Sequence, residues 1–170
     1  MATAKAIVGV VMGSDSDWAT MERCVEQLGE FGIAFEVRVI SAHRTPEAAH
    51  EYAATAAGRG LKVIIAAAGM SAALSGVLAA NTTLPVVGVP MASGALGGVD
   101  AALSTMQMPP GIPVGCMAIG EPGATNAAVY AAEILAVADA KMGKKLAEYK
   151  KKQKEKVEQK DRELQEKLNR

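Results

Sequence analysis

Apolar runs and amphipathic runs alternate along the chain, and short loops rich in serine, proline or glycine separate them. The apolar runs predict strands over residues 7–12, 35–40, 62–67, 85–89 and 114–119. The amphipathic runs predict helices over residues 17–31, 46–58, 71–80, 97–106 and 124–142. Because the strands are apolar on both sides, we expect helices on both faces of a parallel sheet.

Repeated strand–helix units with short connections define the expected fold class. We predict an α/β, flavodoxin-like three-layer sandwich with a five-stranded parallel sheet in the order 2-1-3-4-5. A chain of 170 residues is too short for the eight repeats of a closed α/β barrel. Residues 1–142 are therefore expected to form one catalytic domain.

Residues 143–170 are charged and carry only sparse apolar positions at helical spacing. They predict an extended C-terminal helix, which would be marginal alone in water and is expected to pack on a neighbouring subunit. Residues 141–170 hold 12 of the 18 basic side chains and 6 of the 18 acidic ones. Because acids are interleaved with the bases, we interpret this segment as a solvated helix and expect no nucleic-acid partner.

The amino-acid composition narrows the class of protein further. Half of the residues are hydrophobic, which indicates a globular protein. No apolar run is long enough to span a membrane, and the N-terminus lacks the pattern of a signal peptide, so we expect a cytoplasmic protein. Cys24 and Cys116 predict packed thiols in a reducing compartment rather than a disulfide framework or metal site.

A polar cluster, Gly13-Ser14-Asp15-Ser16-Asp17 (the first loop), directly follows the first predicted strand. A helix N-terminus with free N–H groups favours a phosphate, and Ser14 and Ser16 add hydroxyls. Asp17 suits ribose hydroxyls, or it caps the first helix, which Gly32 would end; both readings stay open. The loop matches neither a P-loop nor a dinucleotide fingerprint.

A second cluster, Ser41-Ala42-His43-Arg44-Thr45-Pro46 (the second loop), follows the second strand. His43 can relay protons near neutral pH, and Arg44 can clamp a phosphate. Alternatively, His43 caps the next helix and Arg44 is a surface charge. Because carboxyl ends of parallel strands meet at one edge, we expect both loops to share a ligand site. His50 is expected to be a surface residue without a partner.

Residues 66–76 (the third loop) are small and could approach a flat heterocycle closely. Residues 90–98 (the fourth loop) are expected to form a flexible wall or lid, as are residues 120–123. For all three segments, tight turns and close packing remain the alternative. The sequence offers neither a zinc ligand set nor the elbow of a serine hydrolase.

Several motifs in order resemble the N5-carboxyaminoimidazole ribonucleotide mutase family of purine biosynthesis, over roughly residues 8–136. They are GSDSDW at 13–18, SAHRTPE at 41–47, TTLPVVGVP at 82–90, QMPPGIPV at 107–114, and IG at 119–120 followed by GATNAA at 123–128. The resemblance implies a flavodoxin-like homo-octamer. It also implies that Ser14, Asp17 and Arg44 bind a phosphoribosyl aminoimidazole substrate and that His43 is catalytic. The predicted substrate site further includes Ser16, Ser41, Gly69, Ser71 and Leu74.

The implied reaction moves a carboxyl group within one substrate. The carbamate of the substrate loses CO2, the pocket traps the CO2, and ring carbon C4 attacks it. His43 would act first as an acid and then as a base. Since the aminoimidazole is itself the nucleophile, we expect neither a cofactor nor a metal.

The third loop departs from the GGAAHLPG pattern of the mutases. Residues 69–76 read GMSAALSG, so Ala73 and Ser75 replace the usual histidine and proline. The related direct carboxylases carry a motif like GRSNALSG, so direct carboxylation of aminoimidazole ribonucleotide by CO2, a carboxy-lyase activity, stays open. A non-catalytic phosphate-sensing module is a remote alternative, because residues 66–69 lack the aspartate of a phosphoacceptor receiver.

Overall fold

The computed structural model describes residues 5–169, which fold into a five-stranded sheet flanked by six helices. The strands are β1 Val8–Met12, β2 Phe35–Val39, β3 Val63–Ala68, β4 Val86–Pro90 and β5 Gly115–Cys116. The helices are α1 Trp18–Glu30, α2 Pro46–Arg59, α3 Leu74–Ala80, α4 Val99–Met106, α5 Glu121–Ala136 and α6 Ala140–Leu168. All strand pairs are parallel, in the order β2-β1-β3-β4-β5. This order confirms the predicted flavodoxin-like fold.

Two apolar clusters form the core, one on each face of the sheet. Met21 and Leu28 of α1 belong to one cluster, together with the small residues of α5. Tyr52 of α2 and Leu78 of α3 belong to the other. The alanines of α5 let it approach α1 and the sheet closely, and five of them are fully buried: Ala124, Ala127, Ala128, Ala131 and Ala132.

The edge strand β2 differs from the prediction that the strands are apolar on both sides. Val39 is 54% exposed, and Glu36 pairs with Arg59 of α2 at 2.5 Å. Among the residues that the structure describes, β2 has a neighbouring strand on one side only, which is β1. Polar residues are therefore tolerated on β2 at lower cost than on the buried strands β1, β3 and β4.

The predicted helix over residues 124–142 is wrong, because it consists of two helices. α5 ends at Ala136 and α6 begins at Ala140. Asp139 starts α6, since its carboxylate accepts the N–H groups of Lys141 at 2.8 Å and Met142 at 3.3 Å. This side-chain cap stabilises the N-terminus of a new helix. The apolar pattern of the sequence continues across the same position and gives no sign of the break.

Helix α6 packs on the body through its first turns only. Met142 and Leu146 are buried, the Tyr149 ring meets the Phe31 ring edge-on at 5.3 Å, and Lys145 Nζ donates to the Phe31 carbonyl at 2.5 Å. From residue 150 to 169 every side chain is exposed. Neither α6 nor any other helix within residues 5–169 has the length and apolar character to cross a membrane.

Candidate active site

The first loop leads from β1 through a single 3-10 turn, Asp15–Asp17, into α1. Ser14 Oγ accepts the N–H of Ser16 at 3.3 Å, and the Asp17 carboxylate accepts the N–H of Ser14 at 3.2 Å. This reciprocal arrangement is a capping box. Asp17 occupies the N-cap position of α1, but its side chain makes no capping hydrogen bond to that helix and instead reaches back to Ser14. Gly32 follows the helix with a φ of 67°, as expected for a helix end.

Three backbone N–H groups of the first loop are not the free donors that we expected. Those of Ser14, Ser16 and Asp17 all donate within the loop, the last one to the Ser14 carbonyl at 3.3 Å. The hydroxyls of Ser14 and Ser16 lie next to each other, since Ser16 Oγ donates to Ser14 Oγ at 2.8 Å. The first loop therefore offers a ligand two adjacent hydroxyls rather than a group of free backbone amides.

The second loop is held by its own hydrogen bonds. Thr45 Oγ1 accepts the N–H of Ser41 at 3.1 Å and donates to the Ser41 carbonyl at 2.9 Å. Ser41 Oγ accepts the N–H of Arg44 at 3.2 Å. These bonds fix a turn that carries the exposed side chains of His43 and Arg44.

The geometry contradicts the alternative role of His43 as a helix cap, whereas the exposure of Arg44 agrees with a surface charge as well as with a ligand contact. The N-cap position of α2 is Thr45, so His43 does not cap that helix. Among the salt bridges within residues 5–169, none involves Arg44. An imidazole and a guanidinium therefore lie next to each other and are available to a ligand.

One cavity of about 610 Å³ joins the first three loops. Two main-chain hydrogen bonds join the ends of the strands beneath this cavity. Ile40 N–H donates to the Met12 carbonyl at 2.8 Å, and Gly13 N–H donates to the Ala67 carbonyl at 2.9 Å. All nine predicted site residues line this cavity: Ser14, Ser16, Asp17, Ser41, His43, Arg44, Gly69, Ser71 and Leu74. The carboxyl edge of the sheet thus brings Ser14 and His43 to the same space, as parallel strands do.

The third loop contributes one wall of the cavity. Residues 66–68 still belong to β3, and residues 74–76 already belong to α3. Ala73 lines the cavity, but Ser75 is only 3% exposed and packs towards Gly88 of β4. Residues 69–76 depart from the mutase pattern at four positions, and three of these residues, Met70, Ser71 and Ala73, line the cavity, whereas Ser75 does not.

Six residues that line the cavity were not predicted to be site residues, and they are Gly13, Ala42, Ala68, Met70, Ala73 and Ser93. Met70 lies between the predicted residues Gly69 and Ser71, so its position along the chain was a usable signal. Ser93 carries the only hydroxyl of the fourth loop. Its presence in the cavity agrees with the expected role of that loop as a wall.

Asp17 is the cavity carboxyl whose ionisation the fold alters. Burial raises the pKa of Asp17 above its usual value, and the nearby Asp15 carboxylate raises it further. The hydrogen bond from the Ser14 N–H opposes both effects and lowers the pKa. The net direction is upward, so burial outweighs the hydrogen bond.

The remaining histidine and the thiols lie outside the cavity. His50 is exposed but does have a partner, contrary to our expectation, since its Nδ1 lies 2.7 Å from Asn81 Oδ1. Cys24 and Cys116 are free, as predicted. Burial raises the pKa of the Cys24 thiol to about 12, so this thiol stays neutral and unreactive near pH 7.

A second cavity, of about 670 Å³, lies between α1 and α6. Its wall includes Glu30, Glu148 and Lys145, and it contains neither histidine nor serine. Nowhere within residues 5–169 do three or more His, Cys, Asp or Glu side chains cluster closely enough to hold a metal ion. The chemistry-bearing groups are concentrated at the carboxyl edge of the sheet.

Fold and site together define a flavodoxin-like α/β protein with a polar ligand cavity at the carboxyl edge of its sheet. The chain belongs to the AIR carboxylase family, whose profile matches residues 7–156.

Two relatives and one solved structure illustrate the membership. The N5-carboxyaminoimidazole ribonucleotide mutase of Vibrio vulnificus is 53% identical over 150 residues, which are 88% of this chain and 93% of that protein. The bifunctional purine synthesis protein purC/E of Dictyostelium discoideum is 57% identical over 130 residues, which are 76% of this chain but only 13% of that protein. A crystal structure of Treponema denticola PurE superposes with a TM-score of 0.80 at 30% identity, covering 92% of this chain and 97% of that one.

Proposed function

We propose that this protein is an isomerase of de novo purine biosynthesis that interconverts N5-carboxyaminoimidazole ribonucleotide and 4-carboxy-5-aminoimidazole ribonucleotide. The observation that carries the proposal is the 53% identity to a mutase across nearly the full length of both chains. The cavity supports it, since His43, Arg44 and the serines of the first loop face the same space. An imidazole beside anion-binding groups suits proton transfer on a phosphorylated ligand.

In the proposed complex, the phosphate binds the Ser14 and Ser16 hydroxyls and the Arg44 guanidinium. Arg44 suits this role because its planar donors match phosphate oxygens. Asp17 accepts hydrogen bonds from the ribose hydroxyls. The imidazole ring lies against the third loop, where Gly69, Ser71 and Leu74 form the wall, and Ser41 shapes the turn beneath His43 and Arg44.

The proposed reaction begins with loss of CO2 from the substrate carbamate. The bond between N5 and the carboxyl carbon breaks, its electron pair stays on nitrogen, and the imidazolium of His43 supplies a proton to that nitrogen. Ring carbon C4 then forms a bond to the carbon of CO2. Neutral His43 removes the C4 proton, which restores the aromatic ring and regenerates the imidazolium. Holding CO2 beside C4 makes the second step effectively intramolecular, and the aminoimidazole supplies the electrons without a cofactor.

The assembly and the setting form the rest of the proposal. Residues 1–142 act as the catalytic unit of a homo-octamer, residues 143–149 pack on that unit, and the exposed remainder of the tail contacts a neighbouring subunit. Support for the contact comes from Val157, Leu164 and Leu168 on α6, which are apolar and between 52% and 70% exposed. We place the reaction in the cytoplasm, and the free thiols Cys24 and Cys116 are typical of such a reducing compartment.

A paired substrate assay tests the function. The purified protein receives either N5-carboxyaminoimidazole ribonucleotide, or aminoimidazole ribonucleotide with bicarbonate, at matched concentrations. We expect the carbamate to be converted faster than it breaks down in solution and faster than the second pair is carboxylated. Use of only the second pair would overturn the mutase assignment and make the protein a direct carboxylase. Turnover of neither substrate would overturn both.

A further inference from the structure

Helix α1 carries a row of acidic side chains on its exposed face. Glu22, Glu26 and Glu30 recur every four residues, and all three are exposed (the acidic row). Trp18, which is 39% exposed, precedes them at the same spacing. Residues four apart lie on the same face of a helix. Arg23 is the one basic residue of α1, and it already contacts Glu26 at 3.2 Å and a carboxylate of α5 at 3.9 Å.

Helix α6 repeats this spacing with the opposite charge. Lys152, Lys156 and Lys160 recur every four residues, and all three are exposed (the basic row). Leu164 continues the row as an apolar side chain that is 52% exposed. Of the three lysines, Lys152 pairs with Glu148 of the same helix at 3.0 Å. The other two take part in no ion pair between residues that the structure describes, so their charges are available to a partner.

The two rows match at every position when they run in opposite directions. This alignment gives three pairs of opposite charge and one apolar pair, which are Glu30 with Lys152, Glu26 with Lys156, Glu22 with Lys160, and Trp18 with Leu164. Running in the same direction, the rows would place the tryptophan against a lysine and the leucine against a carboxylate. Rows of residues four apart lie parallel to each other when two helices cross at about 50°. Charge and apolar character therefore select one direction and one register.

Within a single chain the two rows do not meet along their length. Glu30 and Lys156 line the cavity of about 670 Å³ between α1 and α6, whereas Glu26 and Lys160 do not. Helix α6 continues without a break beyond this cavity, and all its side chains from residue 150 to 169 are exposed. The helix therefore diverges from its own α1, which leaves both rows open to a second copy of the chain.

We propose that α6 of one subunit packs across α1 of a second copy of this chain, with the basic row against the acidic row in the alignment above. The inference rests on the homo-oligomer proposed as part of the function, and it is independent of the reaction. Exposed ion pairs are individually weak, so this contact adds to other contacts between subunits and does not hold the assembly alone. Salt weakens it, because the charges are exposed.

Cross-linking between two chains tests the alignment. Glu26→Cys and Lys156→Cys chains, each also carrying Cys116→Ser, are co-expressed and treated with a short bismaleimide. Burial raises the pKa of Cys24 to about 12, so this thiol stays unreactive. Because each chain has only one of the two new thiols, a linked peptide that contains positions 26 and 156 joins two subunits. Mass spectrometry of the digested protein should detect this peptide.

Lys154→Cys in place of Lys156→Cys is the matched control. Position 154 is also an exposed lysine, but two residues along a helix place it on the opposite side, so its linked peptide with position 26 should be at least about tenfold less abundant. Equal yields from positions 154 and 156 would overturn the alignment.

Charge reversal measures the same contact in solution. Conversion of the acidic row to lysines, or of the basic row to glutamates, should raise the concentration at which the subunits dissociate by at least about tenfold, because three attractive pairs become repulsive. Combining both reversals restores opposite charges and should return this concentration to within about threefold of the original. Reversal of Lys151, Lys154 and Arg162, on the other side of α6, changes the net charge equally and should have a smaller effect.

The outcomes separate this contact from the proposed reaction. If the combined reversal dissociates as readily as either single reversal, the pairing of the two rows is overturned, while conversion of the carbamate in the paired substrate assay still supports the mutase. A monomeric unsubstituted protein would overturn the contact together with the assembly. Failure to convert the carbamate, with the cross-link between positions 26 and 156 present, would overturn the mutase function and support the contact.

Discussion

At the scale of single residues, Asp17 combines a structural bond with a cost of burial. Its carboxylate closes the capping box with Ser14, but burial raises its pKa. A raised pKa means that folding favours the protonated form, so the contribution to stability is present at low pH and is lost as the pH rises through the folded-state pKa. At neutral pH the ionised Asp17 therefore lowers stability, and it supplies the ribose acceptor that we propose for the cavity.

Asp17→Asn is expected to stabilise the fold at pH 7 and to weaken substrate binding. The asparagine amide oxygen can still accept the Ser14 N–H, while the charge that burial disfavours is gone. The gain in melting temperature should shrink as the pH falls towards 3.8, the ordinary pKa of an aspartate. Thermal unfolding across this pH range checks the prediction, with the exposed Asp161→Asn on α6 as control. A loss of stability of equal size at every pH would contradict it.

The residues of the site differed in how well the sequence could locate them. His43, Arg44 and Ser14 follow strands directly, and parallel strands deliver such positions to one edge. The hydrogen bond between Asp17 and Ser14 was harder to predict from the sequence, because a capping box depends on the local turn rather than on spacing from a strand. Ser93 reaches the cavity only because the fourth loop folds over Gly69, and no local pattern encodes that long-range contact.

For the secondary-structure elements, the hydrophobic pattern located the strands and helices. It did not predict the positions at which a polar side chain ends one helix and begins the next. The predicted and observed ends of β1, β3, β4 and α2 agree within one residue. The break between α5 and α6 depends on the Asp139 carboxylate, which apolar periodicity does not register. The strand predicted over residues 114–119 is also shorter in the structure, where β5 is Gly115–Cys116. Beyond it, Met117 N–H still donates to the Gly88 carbonyl at 2.9 Å.

The attachment of α6 to the body can be tested at Leu146. This side chain is 7% exposed and packs in the cluster shared by α1 and α5. Leu146→Ala is expected to cost about 2–5 kcal/mol of unfolding free energy, the usual range for a buried leucine. Leu96→Ala, at an exposed position, should change it by less than about 0.5 kcal/mol. Equal effects in chemical denaturation would show that the start of α6 is not anchored as described.

At the scale of the whole molecule, charge and shape both set α6 apart. The helix has 29 residues and extends roughly 43 Å at 1.5 Å per residue. Residues 141–170 carry an excess of 6 basic side chains, and the rest of the chain carries an excess of 6 acidic ones. Opposite net charges favour contact between the tail of one subunit and the body of another, and such contacts weaken with salt.

Removal of residues 150–170 is expected to leave the fold intact and to destabilise the assembly. The buried contacts of α6 lie at residues 142–149, so the shortened chain keeps them. Sedimentation at increasing dilution should show the full-length chain as an octamer of 17.5 kDa subunits and the shortened chain as smaller species. An unchanged octamer that dissociates at the same concentration and salt would contradict a role of the tail between subunits.

We propose that His43 moves protons on a ligand that other groups of the same cavity hold in place, and the variant His43→Asn separates these two roles. Measured with N5-carboxyaminoimidazole ribonucleotide, this variant should lose about 10²–10⁴-fold in kcat, the usual contribution of a general acid–base. Its affinity for 4-carboxy-5-aminoimidazole ribonucleotide, measured by calorimetry, should stay within a few-fold of the original, because Ser14, Ser16 and Arg44 are unchanged. Retained turnover, or loss of binding in step with turnover in a folded variant, would contradict the account.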